Sequence, residues 1–536
     1  MIRNERGMAI VAVLLVLTGL TMLILALSAN AIIEKQVSVN QRLSARALYA
    51  ADSGVEAARQ AITDYAQGKL DSLTLMWSGN GAIIAAPRTF FPAVGVVRDY
   101  TGIPAFSTLT TVTFEDSSLQ LQSQAYNFRY RTTSNGSYKE GFRTLVSEGR
   151  LRVSATRGSF ADYLIFTNTH AIPGGSPIWF HTTGHFDGRV HTNGQFLFAE
   201  FPTFEDLTTS VNQKAWFYNN GRNIERDAAR NGNTDVPNFY GGFQRGVGRI
   251  DLPSNSYSQE RAAAGGNAAD TRALSNTELR GYLGLSASSG APPDGVYVPH
   301  SGTALTGGIY VAGEAKQVAL SIEGSAQVMK IKDSANRLTT IKVNYGTNST
   351  TVIPPSGPTV TYTGIPRGCL YTKGKVSDLR GPDRSGGNVV PAVQRDHQMT
   401  IVSTGDVIIQ RDLGYQDFDD GANVLGIFSS GGSVRIGTSA PNDLVVDSYV
   451  MASADQKVFS VDNYDSGAYR GQVHLRGGMV TNYYGAFGTF GNSLTGYGRD
   501  FHYDRRGYVP PYYPLTARFE PDRPMPQVLA WHETGE

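Results

Sequence analysis

At 536 residues the chain is too long for one small domain, and about 100–200 residues per domain gives an expectation of two to four units. Its 47 lysines and arginines nearly balance 46 aspartates and glutamates, so the basic excess of a nucleic-acid-binding protein is absent and no nucleic-acid partner is expected. The single cysteine, Cys369, excludes an intrachain disulfide and is expected to be a small buried residue.

Residues 8–27, MAIVAVLLVLTGLTMLILAL, carry no charge and are long enough to cross a bilayer as a helix. They follow Gly7 and a polar leader, MIRNER. Arg3 and Arg6 should hold that leader on the cytoplasmic side, leaving the rest of the chain outside. The next forty residues, to about Gln67, contain no proline and one glycine, Gly54. Within them Leu48, Ala51, Val55, Ala58 and Ile62 recur at steps of three and four, which places them on one stripe of a helix. A single helix over 8–67 would be about 90 Å long. Its first third, Met8 to Leu27, would be the membrane span, and its last third would pack on a globular head.

Residues 68–158 are expected to form that head. A loop broken by Gly79, Gly81, Pro87, Pro92 and Pro104 precedes alternating strands. Tyr126, Phe128 and Tyr130 alternate with Asn127, Arg129 and Arg131. Asn135-Gly136 is a turn signal, and Leu151, Val153 and Ala155 mark the next strand. A long helix followed by a few antiparallel strands makes the fold class α+β.

Residues 159–536 read as a large all-β domain. Short β runs are separated by glycines and polar turns, and the runs at Thr400, Val424 and Val445 recur every 20–25 residues. A β-solenoid or parallel β-helix is expected, with a β-sandwich as the alternative. The Ala/Gly/Ser-rich stretch 254–295 reads as an insertion, with a capping-box helix start at Ser275 and Glu278.

Two groups have ligand chemistry. His181, His185, Asp187 and His191 are all odd-numbered and would share one face of an unbroken strand, and imidazole with carboxylate suits zinc. Against that, Gly184 and Gly188 should break the strand, leaving Asp187, His191 and Asn193 to bond turn backbone between coils. Asp412, Asp417, Asp419 and Asp420 near Gly421 offer hard oxygen ligands suited to calcium, but without EF-hand spacing they read first as a solvated acidic loop. No cofactor is required by the sequence, and zinc or calcium are the metals these groups would take. The tail from Tyr497 to Pro514, rich in tyrosine, arginine and proline, suits a chain end wrapped across the β core, or a sugar- or protein-binding surface. There is no P-loop, no G-x-S-x-G and no H-E-x-x-H, so an enzyme is not expected.

The leader, Gly7, the apolar run from Met8 and its polar extension resemble the type IV pilin superfamily. Within it, RALYAADSGVEAARQAI, with Ala50-Ala51-Asp52-Ser53-Gly54 near the end of the long helix, looks most like the PilX-type minor pilins. The resemblance implies cleavage after Gly7 by a prepilin peptidase, N-methylation of Met8, residence in the inner membrane with the bulk of the chain periplasmic, and assembly with major and minor pilins at the cell surface. Major pilins carry a glutamate where this chain has Ala12. Some minor pilins and the K-type pseudopilin of type II secretion lack it too, and they sit at or near the filament tip. DGRVHTNGQ at 187–195 and FHYDRRGYVPPYYP at 501–514 resemble an uncharacterised domain found after PilX-like N-termini. The expectation is a minor pilin that primes or caps a type IV pilus. The alternatives are a K-like pseudopilin and a tip adhesin whose β domain holds a glycan or protein. Two plainer readings of the N-terminus are an unprocessed signal anchor and a secretory signal peptide cleaved at Ala29-Asn30-Ala31.

Overall fold

The computed structural model describes residues 5–73, 75, 82–120, 122–182, 184–219, 222–228, 236–489 and 494–534. Two compact units divide the chain: the first holds the N-terminal helix, residues 82–156 and the chain from Glu520 onward, and the second holds residues 157–519. The chain end expected inside the β-rich domain therefore returns to the first unit. The expected loop glycines Gly79 and Gly81 lie outside the described residues, as does the leader up to Asn4.

Helix α1 runs Glu5–Ser72 without interruption, about 100 Å at 1.5 Å per residue, starting before Met8 and ending beyond Gln67. Its apolar first part is exposed all round, whereas from Ala47 onward one stripe is buried: Ala51, Val55, Ala58 and Ile62, continued by Ala66 and Leu70, with Leu48 half-buried. That stripe lies on an antiparallel sheet ordered β1 (Val96–Tyr100), β2 (Ala105–Leu119), β3 (Ser123–Tyr138) and β4 (Gly141–Ser159). The C-terminal strand Met525–Glu533 pairs antiparallel with β4 on its other side.

Two kinds of contact hold the helix. Toward its C-terminal end, Ile62, Ala66 and Leu70 pack among Phe90, Phe91, Tyr126, Phe128, Tyr130 and Leu151, and each fully buried large apolar side chain contributes roughly 1.5–3 kcal/mol. Nearer the membrane segment the residues are small so that backbone can meet backbone. A Cβ on Gly136 would stand 2.1 Å from the Ala51 amide nitrogen, and one on Gly54 would stand 2.2 Å from Ser134 Oγ. The Ser134 hydroxyl donates to the Ala51 carbonyl at 2.7 Å. This corrects the expected turn at Asn135-Gly136. Both residues are inside β3, opposite Thr144 and Arg143, and the chain reverses at Lys139, whose φ is 52°. Gly136 is a point of close approach rather than a turn residue.

The second unit is built on parallel pairing. In one sheet Phe243–Arg245, Thr208–Ser210, Val190–Thr192, β5 (Ile165–Thr169), Tyr469–Tyr483, Leu444–Ala452, Val424–Ser429, Gln398–Ser403, Cys369–Thr372 and Ile309–Ala312 lie side by side, each parallel to the next. A second sheet pairs Gln317–Glu323, Val376–Arg380, Val407–Ile409, Val434–Ile436 and Phe459–Val461 in parallel, and from Ile309 onward the chain alternates between the two sheets. Their facing sides form one apolar core that includes Leu370, Ile401, Ile427, Val450, Val407 and Val434. At the ends of the first sheet's strands the buried hydroxyls of Thr372, Ser403, Ser429, Thr481, Thr167, Thr192 and Ser210 fall in register, with Ala452 completing the row.

The stretch 254–295 is not a peripheral insertion. The chain winds from β5 to Arg245, then has to reach Gly295 at the opposite edge of the sheet before winding back. On this crossing the helix Tyr257–Ala264 buries Ala262, Ala263 and Ala264 against Tyr310, Cys369 and Tyr371. Cys369 is fully buried there, and its thiol lies 3.5 Å from the Gln259 carbonyl. The capping box forms at Asn276–Tyr282, with Ser275 Oγ accepting from the Glu278 amide and the Glu278 carboxylate accepting from the Ser275 amide.

Candidate functional site

The most distinctive functional surface is the first part of α1. Met8, Leu14, Leu15 and Leu25 are all more than half exposed, and among the described residues nothing covers any face of Met8–Leu27. A window of mean hydropathy 2.9 makes this one helix long and apolar enough to cross a membrane. Thr18 and Thr21 do not interrupt it, because their hydroxyls donate to the carbonyls of Leu14 and Leu17 at 2.8 Å. Gly7 and Met8 lie within the helix, and Ala12 sits in the apolar run without a carboxylate.

His181, His185, Asp187 and His191 do not form a common ligand set. The chain turns a corner at Asp187-Gly188, where a Cβ on Gly188 would stand 2.5 Å from that of Tyr503, so His185 and His191 belong to different sheets. His181 pairs with Glu200 at 3.2 Å and His185 with Glu205 at 2.9 Å. His191 is buried against the Phe166 ring, with Nδ1 2.7 Å from Thr209 Oγ1 and Nε2 3.1 Å from Asn193 Oδ1. Burial pushes it down to about 4, so it is neutral at physiological pH. Asn193 accepts from the Ile250 amide at 3.0 Å and donates to its carbonyl at 2.7 Å, tying the crossing segment to the end of strand Val190–Thr192.

The acidic group also separates. Asp412 is buried and accepts both ends of the Arg384 guanidinium at 2.7 and 2.8 Å, plus the Val445 amide at 2.9 Å. Asp417 accepts the Asp420 amide at 3.0 Å and faces Arg395, while Asp419 and Asp420 are exposed. Among the described residues no three His, Cys, Asp or Glu side chains are placed to hold a metal ion. The tail packs onto the β core: Tyr497 and Tyr513 are buried, and Gln259 donates to the Tyr512 carbonyl at 2.9 Å. Arg506 is held by Asp504 at 2.7 Å and lies 4.4 Å over the Phe418 ring.

One cluster was not visible in the sequence. His474 and Asp500 are cross-strand partners 2.6 Å apart, His502 reaches both Asp500 and Asp187 at 3.1 Å, and the Tyr503 amide donates to Asp187 at 2.7 Å. Arg505 then joins the Asp187 carbonyl to Glu205. No local motif links these residues, because the pairing of strands distant in sequence brings them together. Burial disfavours the charged form of His502, but the hydrogen bonds and charges of Asp187 and Asp500 outweigh it and raise its pKa. A raised histidine contributes stability that is full below the unfolded value of about 6.5 and is lost as pH rises through the folded value. The melting temperature of the wild type is therefore expected to fall between pH 6 and pH 8.5 more steeply than that of His502→Gln. Parallel curves for the two would contradict this.

Comparison with known proteins gives one family. Residues 125–212 match a domain of unknown function, DUF4900. The matched stretch opens in β3 and closes just beyond Thr208–Ser210, so it takes in parts of both units. No curated protein and no solved structure matches the chain.

Proposed function

We propose that the protein is a PilX-like minor pilin, a non-enzymatic assembly component stored in the inner membrane by Met8–Leu27 and then built into the tip of a type IV pilus. The observation that carries this reading is the unbroken helix Glu5–Ser72, whose exposed apolar part runs directly into a stripe seated on an antiparallel sheet. A plain membrane anchor has no need of such continuity. A subunit that leaves the bilayer to pack against neighbouring helices does, because the same rigid rod must transmit the head's position. Prepilin peptidase, other pilins and the inner membrane are the partners this implies.

The tip is favoured by bulk and by Ala12. On this reading the second unit is a β-solenoid, supported by its parallel pairings and by the alternation of the chain between two sheets. A unit spanning residues 157–519 on a single helix would obstruct a close-packed shaft if repeated, whereas one copy at the end meets no neighbour. The missing carboxylate at position 12 supports the same placement, in a pilus or in a type II secretion pseudopilus. Sheared surface filaments are expected to contain the protein at a low ratio to the major subunit. Recovery only in the membrane fraction, in cells that make filaments, would contradict the reading.

A further inference from the structure

Three aromatic side chains stand together on an outer face of the second unit. Leu197–Ala199 and Ala215–Asn219 run parallel with Phe198 opposite Phe217, and Phe180 bridges to Phe198. Those three phenylalanines point into the core, so alternation turns Trp179, Trp216 and Tyr218 outward. Trp179 meets Tyr218 edge to face, with centroids 6.4 Å apart at 81°, and Tyr218 is still 44% exposed. Beside them lies a fixed polar row. The Trp216 indole donates to Gln195 Oε1 at 3.1 Å, Gln195 Nε2 donates to Glu225 Oε1 at 2.8 Å, and Lys214 Nζ lies 3.5 Å from the other Glu225 oxygen.

We propose that this face binds a neutral oligosaccharide. Pyranose rings present an apolar C–H face to aromatic rings and hydroxyls, each a donor and an acceptor, along their edges. Here the rings supply the apolar platform, Lys214 the donor and Glu225 the acceptor. Because Lys214 and Glu225 offset each other, the patch selects no net charge, which disfavours an anionic ligand such as a phosphate. The hydrogen bond to Gln195 fixes the Trp216 ring before a ligand arrives, so little side-chain entropy is lost on binding. Leu197 and Ala199 lie between the rows of Trp179 and of Trp216 and Tyr218, and with adjacent strands about 4.8 Å apart the platform spans about two sugar residues. Nothing in this inference rests on the filament reading.

The test is a tryptophan-fluorescence titration of the full-length protein in an amine-oxide detergent, which has no sugar head group, against maltohexaose, cellohexaose, chitohexaose and mannohexaose. Saturable binding of at least one is expected, weakened roughly tenfold by Trp216→Ala and by Tyr218→Ala. The melting temperature is read alongside, and Tyr218→Ala is decisive if Trp216→Ala is destabilised. Absence of saturable binding to all four sugars at millimolar concentration, or binding undiminished in Tyr218→Ala, would overturn the proposal.

Discussion

Replacing Gly136 by valine is expected to unseat helix α1 from β3. The atoms a side chain would meet there are backbone: the Ala51 nitrogen at 2.1 Å, the Ala47 carbonyl oxygen at 2.3 Å and the Ala51 Cα at 2.7 Å. None of these can swing aside as a flexible side chain would. Overpacking costs typically 1–3 kcal/mol, and a clash with backbone on both elements puts this substitution at about 3 kcal/mol or more. For a unit of this size that lowers the melting temperature by roughly 6–12 °C. Trp531, in the strand paired with β4, reports on the first unit by its fluorescence. Thr133→Val, on the opposite face of β3, is the matched control and should leave the transition where it is. A shift below about 1 °C for Gly136→Val would mean that the helix is not seated on β3.

The second large effect is expected from Arg476→Ala. Asp447 is fully buried, and Arg476 approaches both of its oxygens at 2.6 Å while lying 4.3 Å over the Phe418 ring. The Tyr415 amide donates to the same carboxylate at 2.8 Å. Arg506 also acts on Asp447, but its own hydrogen bonds are committed to Asp504, Asn423 and the Gly421 carbonyl. Removing Arg476 leaves a buried carboxylate without its partner, which costs about 3–5 kcal/mol. Asp447→Asn is milder, about 1–2 kcal/mol, because Arg476 is partly exposed and can turn to water. Burial already raises the Asp447 pKa, ahead of the lowering by Arg476, and loss of the arginine raises it further. The folded state of Arg476→Ala then binds more protons than the unfolded state, so its stability increases as pH falls through the folded pKa. Urea unfolding at pH 8 and pH 5 should show a deficit that shrinks at pH 5. An equal deficit at both values would contradict an uncompensated charge.

Much of the first unit was legible because its signals are local. The stripe through Ala51, Val55, Ala58 and Ile62 and the alternation at Tyr126, Phe128 and Tyr130 each follow from one periodicity. Asn135-Gly136 misled because glycine serves two ends, turning the chain and admitting a neighbour, and the dipeptide does not say which. In the second unit the β runs were legible but their order was not. The chain starts mid-sheet at Ile165, winds to Arg245, crosses over and returns, so that Met479 ends opposite Ile165. No period in the sequence reports a pairing between strands so far apart. A finer repeat was present: a buried hydroxyl followed two residues later by glycine at Thr192-Gly194, Thr372-Gly374, Ser403-Gly405 and Ser429-Gly431. Ser403 Oγ donates to the Gly374 carbonyl and Ser429 Oγ to the Gly405 carbonyl, so at these four positions the motif marks where the chain turns out of the sheet. The histidines separate for a local reason that the sequence did show, since parity holds only along one strand and the chain turns at Gly188.

On the proposed function the N-terminal helix is an assembly device released by processing rather than a fixed anchor. The measurement that bears on it most directly is the N-terminal sequence and mass of the mature protein isolated from its host. The account predicts a chain that begins at Met8 with one methyl group on its amino nitrogen. A chain beginning at Met1, or at Ile32 after ordinary signal-peptide cleavage, would contradict it.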